Sequence, residues 1–159
     1  MKTLFKILMF VACMMTAAMA SAQEYTAGYE QLSETAVVDE AQEQFELGMS
    51  YVYYDEYEEA IECFRKAAEM GNADAQSELG ALYYNGTYVD RDYDEAVKWF
   101  TLSADQGYAM AQYNLGLCYY WGFGVEHDFN KAVKLLRKAA AQKDEYAIEF
   151  LIKLKCYSI

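Results

Sequence analysis

From about residue 41 onward, apolar and small residues recur at spacings of three and four, the period of an α-helix. They fall into blocks, and glycine-containing stretches separate the blocks in pairs. Within residues 73–108 the first block carries Ala73, Ala75, Leu79, Gly80, Tyr83 and Tyr84, and the second carries Ala96, Val97 and Ala104. This spacing predicts a helix over roughly residues 73–84, a loop over 85–91, and a second helix that Asp92 caps and that runs to about residue 105. Asp92 followed by Glu95 suits a capping box, in which the cap accepts from free N–H groups and the later carboxylate reaches back.

The same order returns after 36 residues. Residues 73–108 and 109–144 share fifteen identities in thirty-six positions, where ordinary residue frequencies give roughly two or three. Ala73-Asp74-Ala75-Gln76, Leu79-Gly80, Tyr83-Tyr84, Gly86, Val89, Asp92, Ala96-Val97-Lys98 and Ala104 are answered by Ala109-Met110-Ala111-Gln112, Leu115-Gly116, Tyr119-Tyr120, Gly122, Val125, Asp128, Ala132-Val133-Lys134 and Ala140. An earlier copy over residues 41–72 keeps Leu47-Gly48, Tyr51, Tyr57, Ala60, Phe64, Ala67-Ala68 and Gly71, with a loop four residues shorter. Beyond Asp144 the pattern restarts at Ala147 and Leu151, so residues 145–159 read as one terminal helix that covers the last apolar face.

Gly80 and Gly116 stand inside helices, where glycine costs about 1 kcal/mol relative to alanine. Close helix packing accounts for their repetition. Tyr83 and Tyr119 are expected to fill the space beside them, with Ala96 and Ala132 as the matching small positions on the second helices. Gly71 and Gly107 are expected to end helices, and Lys143 stands where the third unit should have glycine.

Composition adds a destination. Lys2 and Lys6, the apolar run from Ile7 to Met19 and Ala20-Ser21-Ala22 have the form of an export signal over residues 1–22, cleaved before Gln23. The run is shorter than the roughly 20 residues that span a bilayer, so no stable membrane insertion is expected after cleavage. Cleavage changes 13 basic and 25 acidic residues to 11 and 25, a net charge of −14. Such acidity disfavours nucleic acid, whose binding rests on clustered Lys and Arg, and favours cationic partners. Residues 23–40 form an acidic segment that is a polar cap or disordered, and composition does not choose between the two.

Chemistry is sparse. His127 is the only histidine and lies in a loop between Glu126 and Asp128 with no nucleophile nearby in sequence. Asp90, Asp92 and Asp94 alternate like the start of a calcium loop but lack its glycine and its bidentate acid, so helix capping is the better account. Glu56, Glu58 and Glu59 open a helix, where negative charge complements the dipole. Cys63, Cys118 and Cys156 form no metal-ligand spacing, and buried free thiols explain them best. Trp99 and Trp121 sit at repeat positions that suit packing or contact surface. No metal, cofactor or catalytic residue is expected.

These residues together resemble the Sel-1-like repeats, relatives of the tetratricopeptide repeats. The marks are Ala-x-Ala-Gln with Leu-Gly, the glycine loops from Tyr83 to Val89 and from Tyr119 to Val125, and then Asp-aromatic-x-x-Ala and a terminal Ala. Gly122-Phe123-Gly124-Val125 matches the family loop closely, whereas Asn85-Gly86-Thr87-Tyr88-Val89 lacks its second glycine. The resemblance covers residues 41–159 and implies an all-α, right-handed α-solenoid of helix-turn-helix repeats. It also implies a non-enzymatic interaction module, periplasmic or secreted, that binds a protein or peptide, with basic or extended segments favoured by an acidic rim. In tetratricopeptide-like stacks the first helix of each pair lines the concave side, which here places Phe45, Met49, Tyr53, Tyr84, Tyr113, Tyr120, Trp121 and Tyr146 on the binding face. Some cysteine-rich members of the family are linked to penicillin binding or hydrolysis, and a secreted β-lactamase-like hydrolase is the alternative reading. This chain lacks their regular cysteine pairs and contains no Ser-x-x-Lys.

Overall fold

The two-block rhythm becomes seven helices and no strand among the described residues, which are residue 37 and residues 40–157 of a computed structural model, with side chains through Lys155. Helix α1 spans 40–53, followed by α2 (Tyr57–Glu69), α3 (Ala73–Asn85), α4 (Tyr93–Asp105), α5 (Ala109–Trp121), α6 (Phe129–Ala141) and α7 (Glu145–Tyr157). Each is a helix of about three and a half turns, too short to be stable alone, so stacking rather than local propensity holds it. The odd-numbered helices are the first of each pair and the even-numbered ones the second, and the pairs stack as a right-handed solenoid. No described helix is long and apolar enough to cross a membrane.

The glycines permit close approach, but not beside the predicted tyrosines. A Cβ on Gly80 would stand 2.7 Å from the ring of Phe100, one on Gly48 would stand 2.7 Å from Phe64, and one on Gly116 would stand 3.0 Å from Leu136. Each large residue lies four positions after the small alanine of its second helix, Ala60, Ala96 or Ala132, and points into the gap left by the glycine. The expectation that Tyr83 and Tyr119 fill this gap is therefore corrected. Both are half-buried and pack against the core formed by Ala96, Phe100, Ala111, Leu115 and Cys118.

Small residues also close the contacts between units. Ala67 and Ala68 of α2 meet Ala75 and Leu79 of α3, and Trp99 of α4 closes over them. The second such core adds Leu135 of α6, and the third joins Leu136 and Ala139 of α6 to Ala147 of α7. A ladder of glutamines runs through the interfaces. Gln76 Nε2 donates to the Ala68 carbonyl (3.0 Å), and its Oε1 accepts from Gln106 Nε2 (2.8 Å), which also donates to the Gly71 carbonyl (2.9 Å). Gln112 and Gln142 repeat the pattern one unit on, with Ala104 and Gly107 as the carbonyl partners. Gln76 and Gln112 are buried, and their amides are satisfied by these bonds.

Turns follow from backbone requirements more than from side chains. Gly71, Gly107 and Lys143 all take positive φ, at 96°, 93° and 69°. At each, the next residue's N–H reaches back to a carbonyl of the preceding helix, so the position demands the left-handed conformation and Lys143 adopts it without glycine's freedom. Tyr88 does likewise at φ 61°, at the register of Gly124 (67°). Its ring stacks on Tyr57 of the preceding unit (centroids 4.0 Å apart), as Phe123 stacks on Tyr93 (4.8 Å). Asp92 caps α4 by accepting from the N–H groups of Asp94 and Glu95. The reciprocal half of the predicted capping box does not form: the Asp92 N–H donates to the Tyr83 carbonyl, and Glu95 pairs with Lys98 (3.2 Å). The loop's return to α3 already satisfies the donor that Glu95 would have reached.

Candidate binding face of the first helices

Four of the eight residues assigned to the binding face are open side chains. Met49 and Tyr53 on α1, Trp121 at the end of α5 and Tyr146 on α7 are exposed, Tyr53 by 82%, Trp121 by 56% and Tyr146 by 58%. The other four are half-buried and make contacts within the stack. Phe45 packs on Phe64 (5.7 Å), Tyr84 on Tyr93, Phe100 and Phe123, and Tyr120 on Phe129 and Phe150 as well as on Trp121. These rings seal joints between helices and lend rigidity to their exposed neighbours.

Two groupings arise. Tyr113 and Tyr146 lie 5.9 Å apart across α5 and α7, while Trp121 stands edge-on to Tyr120 at 4.6 Å. Burial first, then the carboxylates of Asp144 and Glu149, raise the pKa of Tyr113, so its hydroxyl stays a hydrogen-bond donor at neutral pH. On the Tyr108 side, burial, a hydrogen bond to Asp74 and the charge of Glu78 push that phenol up to about 12. Glu78 is exposed as a residue, yet its carboxyl is desolvated by the surrounding atoms and lies beside Asp74, and both effects raise its pKa. Glu78 thus carries its negative charge in a partly desolvated setting beside Asp74. Sequence reading missed this pair because Asp74 and Glu78, four apart on α3, read as ordinary solvated acids until the fold brings Tyr108 into hydrogen-bond contact with Asp74.

The residues weighed for chemistry are dispersed. His127 is an exposed loop residue in a shallow recess with Tyr119, Val125, Glu126, Asp128 and Lys131. Cys63 and Cys118 are buried and free, and burial pushes the Cys118 thiol up to about 12, far from a reactive thiolate. The side chain of Cys156 lies outside the described residues, as do the signal segment assigned to 1–22 and the acidic segment assigned to 23–40 apart from residues 37 and 40. Among the described residues no group of His, Cys, Asp or Glu is arranged to hold a metal ion.

Residues 44–72, 73–108 and 109–144 each match the Sel1 repeat. The chain belongs to the Sel1 repeat family. Sel1 repeats are protein-interaction modules, typically non-catalytic scaffolds. Among solved structures, a Sel1 repeat protein from Oxalobacter formigenes is 35% identical with a TM-score of 0.68, covering 78% of this chain and 98% of its own. The protein c5321, a protective antigen of uropathogenic Escherichia coli strains displaying the same Sel1-like repeat fold, is 40% identical over 74% of this chain and 26% of its own (TM-score 0.64). Cysteine rich protein B of Helicobacter pylori, 23% identical over 74% of this chain and 94% of its own (TM-score 0.61), shares the fold. No functionally curated protein matches this Sel1 repeat chain.

Proposed function

We propose that this Sel1 repeat chain is an exported adaptor, periplasmic or secreted, that binds a basic or extended segment of another protein along the face of its first helices. The observation that carries the reading is the row of exposed side chains Met49, Tyr53, Trp121 and Tyr146 on α1, α5 and α7, with the crowded Asp74–Glu78 pair on α3. Tyr and Trp supply much of the energy at protein interfaces at low entropic cost, and an acidic rim selects cationic partners. Tyr120 is not a suitable probe, because its ring also joins α5 to α6 and α7. The test is capture of partners from the native envelope fraction, followed by affinity measurement on Trp121→Ala/Tyr146→Ala. The double variant is expected to keep the parent's thermal unfolding and to bind at least about 100-fold more weakly, as two hot-spot rings imply. Unchanged affinity in the folded variant would remove this face from the function.

A further inference from the structure

We propose that the groove between α6 and α7 is a second docking site, built to take one amphipathic helix with an acidic polar face from another protein. The repeat supplies its own template for the occupant. The equivalent groove between α2 and α3, lined by Ala67, Ala68, Ala75 and Leu79, is filled by Trp99 of the following second helix. The groove between α4 and α5 receives Leu135 of α6 in the same way. At the third groove, formed by Leu136, Ala139, Ala147 and Leu151, no second helix follows among the described residues. Its mouth is lined by Phe129, Val133, Arg137, Leu151, Leu154 and Lys155. Phe129 holds the register of Tyr57 and Tyr93, each of which is stacked by an aromatic ring from the next loop, yet it is 47% exposed.

Charge states which helix would fit. Residues 40–72 carry nine acids and two bases, residues 73–108 seven and two, but residues 109–144 three acids and five bases. The acidity of the chain is thus confined to its earlier units. Lys131, Lys134, Arg137 and Lys138 all lie on α6, and Arg137 and Lys155 flank the groove itself. An apolar stripe bordered by carboxylates would meet both the groove and its rim.

One residue sets a further condition. Ile152 stands at the register of Gly48, Gly80 and Gly116 and is 58% exposed. A helix with a large side chain opposite it, as Phe100 stands opposite Gly80, would collide, so the occupant must present a small residue there.

Helix α4 serves as the probe, because it carries Trp99 and is acidic. A fluorescein-labelled peptide of residues 92–106 with Phe100→Ala is titrated with the full repeat chain and followed by anisotropy. The matching peptide of residues 128–142 with Leu136→Ala, the same truncation at the same register on a basic helix, serves as the control. The acidic peptide is expected to bind saturably and the basic one at least about tenfold more weakly. Arg137→Glu/Lys155→Glu should weaken the acidic peptide by a similar factor with unfolding unchanged, while Trp121→Ala, on the face of the proposed function, should leave it unaffected. Equal binding of the two peptides, no saturable binding, or indifference to the charge reversal would overturn the proposal. So would light scattering that shows a dimer dispersed by Arg137→Glu/Lys155→Glu, since the occupant would then be a second copy.

Discussion

Gly80 illustrates how much one hydrogen atom decides. In an open helix, alanine would stabilise this position by about 1 kcal/mol. Here its methyl would stand 2.7 Å from Phe100, one of the most deeply buried rings, which has little freedom to retreat. Gly80→Ala is therefore expected to destabilise by about 1–3 kcal/mol, read from urea unfolding. Gly116→Ala should cost less, because a Leu136 side chain at 3.0 Å can adjust by a small rotation. The glycines were legible in the sequence as close-approach points, since no other reason explains glycine repeated in a helix. Their partners were not, because tyrosines three residues later on the same helix were the visible large residues, whereas Phe64, Phe100 and Leu136 answer from another helix. The capping box failed for a related reason. Asp92 and Glu95 satisfied a local pattern, and a tertiary bond from Asp92 to Tyr83 used the donor first.

Helix pairing was readable from period alone, because a face repeated every 36 residues can only be buried by the next copy of itself. The bounds of α3 and α4 lie within a residue of the expected ones for the same reason. The glutamine ladder was hidden although its residues were among the identities, since a polar residue shared by two repeats looks like a surface position until the neighbouring carbonyls arrive. Gln112 donates to Ala104 and accepts from Gln142, so Gln112→Leu would remove two bonds of the ladder and leave Gln142 only its bond to the Gly107 carbonyl. The expected loss is about 1–3 kcal/mol, larger than for an exposed change such as Glu126→Gln, and equilibrium denaturation of the two variants side by side measures it. The aromatic face was legible only as a set. Spacing put eight residues on the first helices, but it could not show that Phe45, Tyr84 and Tyr120 spend their rings on internal joints, since these have the same periodicity as the exposed ones.

At the scale of the whole molecule, acid titration reports opposing groups. Asp128 has its pKa lowered, chiefly by the backbone N–H of Lys131, and Glu149 by its hydrogen bond to Lys153, so their stabilisation is present above the unfolded values and is lost as pH falls through the lowered ones. Glu78 works the other way. Its raised pKa means the folded chain holds its proton more tightly than the unfolded chain, so this contribution is lost as pH rises through the folded value. Glu78→Gln should therefore gain stability relative to the parent between about pH 4.5 and neutrality, with the difference levelling off above the raised pKa, as urea midpoints across that range would show. The glutamine ladder bears on behaviour under load. Its rungs tie each unit to carbonyls of the preceding one, Gln76 and Gln106 to Ala68 and Gly71, and Gln112 and Gln142 to Ala104 and Gly107, whereas α7 carries Ile148 at the register of Gln76 and Gln112. Under a pulling force the stack would behave as springs in series with unequal clasps, the unclasped joint between α6 and α7 yielding before the clasped ones.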